Sequence, residues 1–561
     1  MLIRPLMARP VKMPGMIDAV DSGCGCARKR RVMRSDRVGY QEGRPSMTKH
    51  LVAHVLLALM LISCNPSSVF NPEQGDASPD GHALTFVPEG GDPPAPMLVG
   101  EAISCTYVVA PDGDDGGAGS EAQPWGSFQR AAEEVEPGGT VCFREGTYAL
   151  EGPVHIARSG TADALLIFIA YPGERPILDG GGETGGLIVL DPGASYLRIS
   201  GFTLQRFTVW GLEVTGGNRY VYLDHLTIEG GEAGIHFTYG EDDLAPPEGG
   251  TVEHITLEDS LVFNSEYTAV DCTPGPCNHM TFRRVEIYGS GLLGEASFGS
   301  DGLAVSRGYP LLVEDCTIHD NGGDGIDLNS RDREGYAADV IVRRNRVVRN
   351  HLNGIKLWAG GLIENNIVWG QGDSALWLGT FDSELIVVNN TIAFNMWDPA
   401  YSGRNWAFSA GYPEEIVALP QVDLLLVNNI FAFNTGPDLG APTGLFLGPG
   451  VRIREHHNLY FSVEEGEITA EFLDAEFTRE DIGSGIWTDR SGQGQDDLII
   501  DPIFLSGWPQ VDLRLQPDSP AIDAGDPDYC PVVDFLGIPR PADGDGDGAA
   551  ICDIGAFEWN E

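Results

Sequence analysis

The stretch Val313-Glu-Asp-Cys-Thr-Ile318 recurs as Val342-Arg-Arg-Asn-Arg-Val347 and again as Ile363-Glu-Asn-Asn-Ile-Val368. Thirteen positions after the start of each copy comes an aliphatic residue, at Ile326, Ile355 and Leu376. Looser copies extend from about residue 197 to 460, and only the loops between them vary in length. The strands are short, alternating and rich in Asn and Gly, which disfavours helices. The repeat therefore predicts an all-β fold, a parallel β-helix solenoid.

Pairs of asparagines recur at one place in the predicted coil, at residues 365–366, 389–390 and 428–429. Amides stacked at equivalent positions can hydrogen-bond along the axis of a solenoid. We interpret these asparagines as structural ladders and not as ligands.

Both ends of the repeat carry other patterns. The segment Trp125–Val135 has helical periodicity and is expected to form an N-terminal capping helix over the first coil. With the preceding Tyr107-Val-Val-Ala-Pro-Asp-Gly113, this opening resembles right-handed parallel β-helix proteins of the pectate-lyase-like superfamily. Residues 519–525 and 553–558 resemble a small C-terminal closing module of secreted β-helix proteins. Its Asp543-Gly-Asp-Gly-Asp-Gly548 is similar to half a calcium loop, but Ile554 occupies the position of the bidentate glutamate. Calcium binding there is left open.

The N-terminal region contains an export signal. Met47-Thr-Lys-His50 precedes a short apolar run that ends in Leu61-Ile-Ser-Cys64, which resembles a bacterial lipobox with Cys64 as the lipidated residue. A plain signal peptide and an internal apolar run are the alternatives. We therefore expect an exported lipoprotein of the outer membrane or cell surface of a bacterium. The predicted organisation is an over-extended start (1–46), a lipoprotein signal peptide (47–63), a flexible linker (64–103), a β-helix (104–500) and a closing module with the DGDGDG loop (501–561).

The chain is strongly acidic, with a formal net charge of −47. Downstream of residue 63 there are 24 basic against 78 acidic side chains. Such a surface repels nucleic acid and anionic lipid headgroups, so membrane contact is expected only through the lipid anchor. It would also repel an acidic polysaccharide unless a cation intervened. A monomer is expected.

Cysteine positions suggest disulfides, because seven cysteines follow Cys64 in an oxidising compartment. Their positions make three pairs plausible and leave Cys316 over: Cys105 with Cys142, Cys272 with Cys277, and Cys530 with Cys552. No His/Cys group has zinc-like spacing.

Lys356 is the only lysine after Cys64, in a stretch that holds 23 arginines. Lysine can lose its proton and act as a base, whereas arginine stays protonated. Chance composition is the alternative. Since side chains alternate along a strand, the residue after each inward aliphatic points outward. That column reads Glu213, His236, Asp271, Ala304, Asp327, Lys356 and Trp377, and the column three residues earlier reads Trp210, Ala233, Thr268, Asp301, Asp324, Asn353 and Ser374.

Asp301, Asp324 and Asp327 therefore converge from adjacent coils, with Lys356 one coil above Asp327. Three converging carboxylates with no lysine or arginine among them in either column call for a cation, and oxygen ligands suit Ca²⁺ better than zinc or a redox metal. Asp-Gly turns explain any one of these aspartates, but not their alignment.

The segments Asp301-Gly302, Gly323-Asp-Gly-Ile-Asp-Leu328 and Asn353-Gly-Ile-Lys-Leu357 resemble motifs of the family-nine polysaccharide lyases, which are β-helical pectate lyases. The resemblance implies that the three aspartates bind calcium and that Lys356 abstracts a proton. It departs at Gly323, where the family has a further aspartate. Asp271, Asn329 or water could fill that place.

The resemblance implies Ca²⁺-dependent β-elimination of pectate or a related polyuronate. Residues 283–356 hold 10 of the 24 basic side chains, so an anionic chain could approach there. The candidate substrate-binding residues are Arg307, Arg331, Arg333, Trp358 and Trp377, although ion pairing or packing would also explain them. Two alternatives remain open. One is a glycoside hydrolase with Asp324 and Asp327 as its carboxyl pair. The other is a non-catalytic carbohydrate-binding or adhesive surface lipoprotein.

Overall fold

A computed structural model describes residues 104–237, 250–273, 275–291, 299–328, 339–358, 360–379, 382–395, 407–410, 421–434, 445–448, 450–462, 468–472 and 475–560. For residues 468–472, 475, 489 and 490 only the backbone is described. The predicted signal peptide, the linker and Cys64 lie outside these residues, so those expectations remain predictions.

Three long sheets run the length of this part of the chain. Sheet 1 comprises Tyr107–Val109, Thr140–Phe143, Leu166–Ala170, Ser195–Ser200, Arg219–Asp224, Val252–Glu258, Cys277–Arg283, Leu311–Glu314, Val340–Arg343, Gly361–Glu364, Ser383–Val388, Val422–Val427 and Val451–His456. Sheet 2 comprises Val154–Ile156, Gly186–Leu190, Trp210–Val214, Ala233–Phe237, Val270–Cys272, Leu303–Val305, Ile326–Leu328, Ile355–Leu357, Leu376–Leu378, Phe408–Ala410, Leu445–Leu447, Ile468–Phe472 and Ala475–Thr478. Sheet 3 comprises Gly146–Ala149, Pro176–Asp179, Thr203–Gln205, Thr227–Glu229, Leu261–Phe263, Glu286–Tyr288, Thr317–His319, Arg346–Val348, Ile367–Trp369, Thr391–Ala393, Ile430–Ala432 and Leu459–Phe461.

Each coil passes through sheet 1, then sheet 3, then sheet 2, and the next coil stacks on it in parallel. This confirms the predicted right-handed parallel β-helix. The predicted register is also confirmed. Val313 pairs with Val342 in sheet 1, and Ile326 pairs with Ile355 in sheet 2. These aliphatic side chains face a continuous buried core between the three sheets. Parallel strands buried on their inner face favour such aliphatic columns, so the repeat dictates the stacking.

The asparagine ladder is confirmed in the turn between sheets 1 and 3. The Asn366 side-chain amide donates to Asn390 Oδ1 at 3.0 Å, and the Asn390 amide donates to Asn429 Oδ1 at 3.0 Å. Their buried amides also satisfy backbone carbonyls of the coils. A buried amide that lacked such partners would be costly, so the ladder fixes the coil-to-coil spacing.

Helix α1, Phe128–Glu134, covers the first coil as predicted. Ser127 caps its first turn by accepting from Arg130 N, and Phe128 packs against Phe143 of the first coils. At the other end, two short helices contribute buried side chains to the main core: α2, Arg479–Gly483, and α3, Ile486–Ser491. In the part of the chain that the structure describes, no helix is long and apolar enough to cross a membrane.

The C-terminal module packs along the outside of sheet 3. Its buried residues, including Ile554 and Phe557, join those of sheet 3 in a separate apolar cluster. It contains a two-stranded sheet, Phe504–Ser506 with Asp512–Leu515, and a 3₁₀ turn, Pro527–Tyr529. Helices α2 and α3, and not this module, supply the buried side chains beyond the last coil.

The three predicted disulfides are present, joining Cys105 to Cys142, Cys272 to Cys277 and Cys530 to Cys552. Among the described cysteines, Cys316 is buried and lies outside any disulfide, as expected.

Candidate active site

The candidate site lies on the outer face of sheet 2, where three consecutive coils stack. Asp327 pairs in register with Lys356 of the next coil and with Ala304 of the previous one. Asp301 and Asp324 precede the strands of their own coils, at the entry to the same face. The predicted alignment of these residues is confirmed.

Lys356 contacts two of the three aspartates. Its Nζ donates to Asp327 Oδ2 at 2.9 Å and to Asp324 Oδ2 at 3.2 Å. The side chain is 13% exposed, so the ammonium can be reached from solvent but is largely enclosed. Its Nζ also lies 4.7 Å from the ring centroid of Trp358 and 5.5 Å from that of Trp377. Two carboxylates and two aromatic rings therefore surround a single ammonium.

The aspartates are buried and lie on a fixed backbone. Asp301 and Asp324 are 7% and 4% exposed. Asp301 Oδ1 accepts from Asp324 N at 2.7 Å, while Asp324 Oδ1 accepts from both the backbone and side-chain nitrogens of Asn353 at 2.8 Å. These hydrogen bonds join Asp301, Asp324 and Asn353 of three successive coils and hold the carboxylates in place.

Burial is the largest influence on the Asp301 carboxyl and raises its pKa well above the usual range. The negative charges of Asp324 and Asp327 raise it further, whereas Lys356 lowers it. Without a further cation nearby, the Asp301 carboxyl therefore keeps its proton more readily than a free aspartate does.

The pKa of Lys356 is raised above its ordinary value. Burial lowers the pKa of this amine, but the charges of Asp324 and Asp327 and their hydrogen bonds outweigh the effect of burial. With these neighbours alone, the lysine is held as an ammonium. A base role requires that its two carboxylate partners be drawn away by another cation.

Gly323 is fitted closely against Asp301. A Cβ at this position would lie 2.4 Å from Asp301 Oδ1 and 2.8 Å from the carbonyl carbon of Ser300. An aspartate here, as in the resembled family, would displace the Asp301 carboxylate. The glycine that stands at position 323 in place of the family's aspartate is thus compatible with the position of Asp301, whose carboxylate occupies the space beside Gly323.

The donor set fits a hard cation such as Ca²⁺, because all three side chains offer oxygen. Asn353 Oδ1 is a further buried oxygen, with no hydrogen-bond partner among the described residues. The three carboxylates do not form a group whose oxygens all lie within 4.8 Å. Opposite ligands around calcium are separated by up to about 5 Å, since each bond is about 2.3–2.6 Å long, so this spread is compatible with the ion.

Not all of the predicted site residues lie here. Arg331, Arg333 and Asn329 fall outside the described residues, and their roles stay predictions. Arg307 is half-buried and comes two residues after the strand Leu303–Val305. Asp271 pairs with Ala304 and is therefore two strand spacings, roughly 10 Å, from Asp327 along the column. That separation weakens Asp271 as a substitute ligand for the missing aspartate.

Asp373 was not predicted from the sequence. It is largely enclosed, and burial together with the charge of Asp324 raises its pKa to about 6. It precedes Ser374, one position outside the column that contains Asp324 and Asn353, so a column-by-column alignment passes over it. It adds a fourth carboxyl group to the electrostatics of the site.

The DGDGDG loop of the C-terminal module forms a separate acidic group. One oxygen each from Asp523, Asp543 and Asp545 lies within 4.8 Å of the others. The EF-hand glutamate position is Ile554, which is fully buried. Calcium binding at this loop stays a prediction.

The fold is a right-handed parallel β-helix, and the chain is similar to polysaccharide lyases that have this fold. A family described as "Pel9A-like, right handed beta helix region" matches residues 107–266, and one described as "Right handed beta helix region" matches residues 210–392. The chain is 42% identical over 78 residues to "Pectate lyase PEL9" of Emericella nidulans, which covers 14% of this chain and 19% of that protein.

Two further likenesses are longer and more distant. The "Uncharacterized protein YwoF" of Bacillus subtilis (strain 168) is 24% identical over 348 residues, which is 51% of this chain and 73% of that one. The structure titled "Crystal structure of pectate lyase Pel9A" is 16% identical with a TM-score of 0.45, covering 82% of this chain and 98% of that one. This chain spans only about a fifth of the curated pectate lyase that it matches.

Proposed function

We propose that this protein is a polysaccharide lyase that cleaves pectate or a related polyuronate by Ca²⁺-dependent β-elimination. The observation that carries the proposal is the placement of Lys356, whose ammonium contacts Asp324 and Asp327 and lies beside two tryptophan rings. The Pel9A-like match and the 78-residue likeness to a pectate lyase support this reaction class.

Asp301, Asp324 and Asp327 are the residues that would hold calcium. If all three are ionised, their charges exceed that of Lys356 by two, which is the charge of one calcium ion. Calcium, when bound, neutralises the carboxylate of a uronate and so makes the proton on C5 more acidic.

Lys356 is the proposed base for that C5 proton. The amine must be neutral to accept a proton, yet its carboxylate neighbours raise its pKa. The same carboxylates are the proposed metal ligands. The proton affinity of Lys356 and the metal occupancy of the site are therefore linked through Asp324 and Asp327.

Trp358 and Trp377 are proposed to position the sugar. Their rings meet edge to face, with centroids 5.9 Å apart, next to the lysine ammonium. A sugar ring packed on either indole would lie within reach of Nζ. Arg307 is proposed to attract the acidic polymer, together with Arg331 and Arg333, which lie outside the described residues.

We also propose that the protein acts as a monomeric lipoprotein exported to the outer membrane or cell surface and anchored through Cys64. The apolar run before Cys64 supports this, and so does the presence of three disulfides, which form in oxidising compartments. Labelling with a lipid precursor, compared between the wild type and Cys64→Ala, tests the anchor.

The test of the reaction is incubation with a panel of uronate polymers in the presence of Ca²⁺ or a chelator. Ultraviolet absorbance of the unsaturated product is recorded, together with the release of reducing ends. Absorbing product that requires Ca²⁺ and is absent with Lys356→Ala supports the lyase. Reducing ends without absorbance would indicate a hydrolase. Binding to a polymer with no product would indicate a carbohydrate-binding protein.

A further inference from the structure

A second group of metal-ligating side chains lies far along the chain from the candidate active site. His456 ends the last strand of sheet 1, and His457 follows it in the turn. Asp526 belongs to the C-terminal module, where it precedes the 3₁₀ turn Pro527–Tyr529. One ligand atom from each of the three lies within 4.8 Å of the others.

The distances within this group resemble the edges of a metal tetrahedron. His456 Nδ1 lies 3.1 Å from His457 Nδ1 and 3.5 Å from Asp526 Oδ2. Zinc bonds to histidine nitrogen and carboxylate oxygen are about 2.0–2.2 Å long, so two ligands of a tetrahedral ion are separated by roughly 3.3–3.5 Å. Small side-chain adjustments would therefore place all three atoms around one ion.

The structure holds Asp526 in this position independently of any ion. Its backbone N donates to Asn428 Oδ1 at 2.7 Å, and its carbonyl accepts from Asn428 Nδ2 at 3.1 Å. Its Oδ1 caps the 3₁₀ turn by accepting from Asp528 N at 2.9 Å. The other oxygen, Oδ2, is the one that faces His456. A preformed carboxylate lowers the entropic cost of binding an ion.

The two histidines are also suited to ligation. His456 is 23% exposed and His457 is 24% exposed, which leaves room for a solvent molecule as the fourth ligand. The other ring nitrogen of His457, Nε2, lies 3.9 Å from Asp496 Oδ2, and a carboxylate in that place can orient a histidine that binds a metal.

We propose that His456, His457 and Asp526 bind one divalent ion of the zinc class and so fasten the C-terminal module to the last coil. Two imidazole nitrogens with one carboxylate suit Zn²⁺ and related transition ions, whereas Ca²⁺ prefers oxygen ligands alone. This site is chemically distinct from the three aspartates near Lys356. The sequence shows only two adjacent histidines, because the third ligand comes from a residue about seventy positions away.

The experiment uses the mature chain without a histidine tag, treated with a chelator and dialysed. Zn²⁺ is titrated by calorimetry in a large excess of Ca²⁺, and Co²⁺ is titrated by visible absorption. The variants are His457→Ala and Asp526→Asn, which retains a capping side chain. His155→Ala is the matched control, because His155 pairs with Asp191 at 2.8 Å in the first coils and belongs to no such group among the described residues.

We expect one Zn²⁺ site per chain and a Co²⁺ spectrum typical of a tetrahedral nitrogen and oxygen site. His457→Ala should weaken Zn²⁺ binding by more than about 100-fold and Asp526→Asn by at least about 10-fold, while His155→Ala leaves it unchanged. Zinc should also raise the unfolding temperature of the wild type. No binding by the wild type would overturn the proposal, and so would equal binding by His457→Ala.

If a variant does not fold, the wild type alone still decides the question. The absence of a tetrahedral Co²⁺ spectrum, or an unfolding temperature that Zn²⁺ does not change, would overturn the proposal. Lyase activity is not a readout here, so the outcome is independent of the proposed reaction.

Discussion

The outer faces of sheets 1 and 2 both carry stacked charges, but in different proportions. On sheet 1, Glu314 accepts hydrogen bonds from Arg283 of the preceding coil and from Arg343 and Arg344 of the following coil. On sheet 2, three aspartates lie together with a single ammonium, that of Lys356, which donates to two of them. Stacked coils thus produce a cluster on sheet 1 with several arginines and a cluster on sheet 2 with a single lysine.

The two clusters differ in their proton affinity accordingly. Burial raises the pKa of Glu314, but the hydrogen bonds and charges of its arginines outweigh burial, and the net pKa is lowered. Burial and like charges both raise the pKa of Asp301. A carboxylate whose charge is balanced by arginines, such as Glu314, stabilises the stacked coils. A group of carboxylates with too few cations, such as the three aspartates, is suited to bind a metal ion. The predictions below test that distinction.

The largest effect is expected at Lys356. Replacing it with alanine should lower the rate of product formation by about 10²–10⁴-fold, the usual contribution of a general base. Lys356→Arg should be equally inactive, because arginine keeps the positive charge but does not lose its proton. Initial rates from ultraviolet absorbance measure this.

The control for Lys356 is a cation of the other cluster. Arg343→Ala removes a positive charge from sheet 1 and should leave the rate within about threefold of the wild type, since the charge contacts Glu314. Equal losses in both variants would mean that the two clusters do not differ in function.

A smaller effect is expected at Gly323, where the added methyl of Gly323→Ala meets Asp301 Oδ1. A displaced ligand should lower both the Ca²⁺ affinity and the rate, the latter by about 10–100-fold, because misplacement of about 1 Å has that cost. Calorimetry with Ca²⁺ and initial rates measure it. Gly185→Ala is the control, since its nearest contact would be an ordinary 3.7 Å. Wild-type calcium affinity in Gly323→Ala would contradict the assignment.

On sheet 1 the expected effect is on stability. Glu314→Gln leaves three guanidinium groups without their shared carboxylate, so the free energy of unfolding should fall by about 1–3 kcal/mol while the rate is kept. Denaturant titration measures it. The exposed pair Asp423 with Arg452 is the control, and Asp423→Asn should change stability by less than about 1 kcal/mol.

The smallest expected effect concerns pH. It is the pH dependence of the difference in unfolding free energy between the wild type and Glu314→Gln. Because the folded pKa of Glu314 is lowered, its stabilising contribution is present above its unfolded pKa of about 4.3 and is lost as pH falls through the folded pKa. The stability advantage of the wild type over Glu314→Gln should therefore shrink below about pH 4. An advantage that grew at lower pH would contradict the lowered pKa.

Much of the fold was predictable because every coil of a solenoid repeats the same residue spacing. Fixed spacing from Val313 to Ile326 sets the register, and the register then places Asp327 below Lys356. Cysteine positions made the three disulfides plausible but left their connectivity open, and the structure contains all three pairs.

What the sequence did not predict depends on contacts outside the repeat. Asp373 lies one position outside the column, and its nearness to Asp324 arises from a turn whose shape no pattern encodes. The position of Asp526 beside His456 requires the module to pack on the coils. The closeness of Gly323 to Asp301 is likewise a property of backbone geometry.

The most direct test of the central claim compares the wild type with Lys356→Arg on polygalacturonate, with Ca²⁺ and then with a chelator, following the absorbance of unsaturated product. We predict absorbing product only from the wild type and only with Ca²⁺. Product that persists in the chelator, or equal product from Lys356→Arg, would contradict the account.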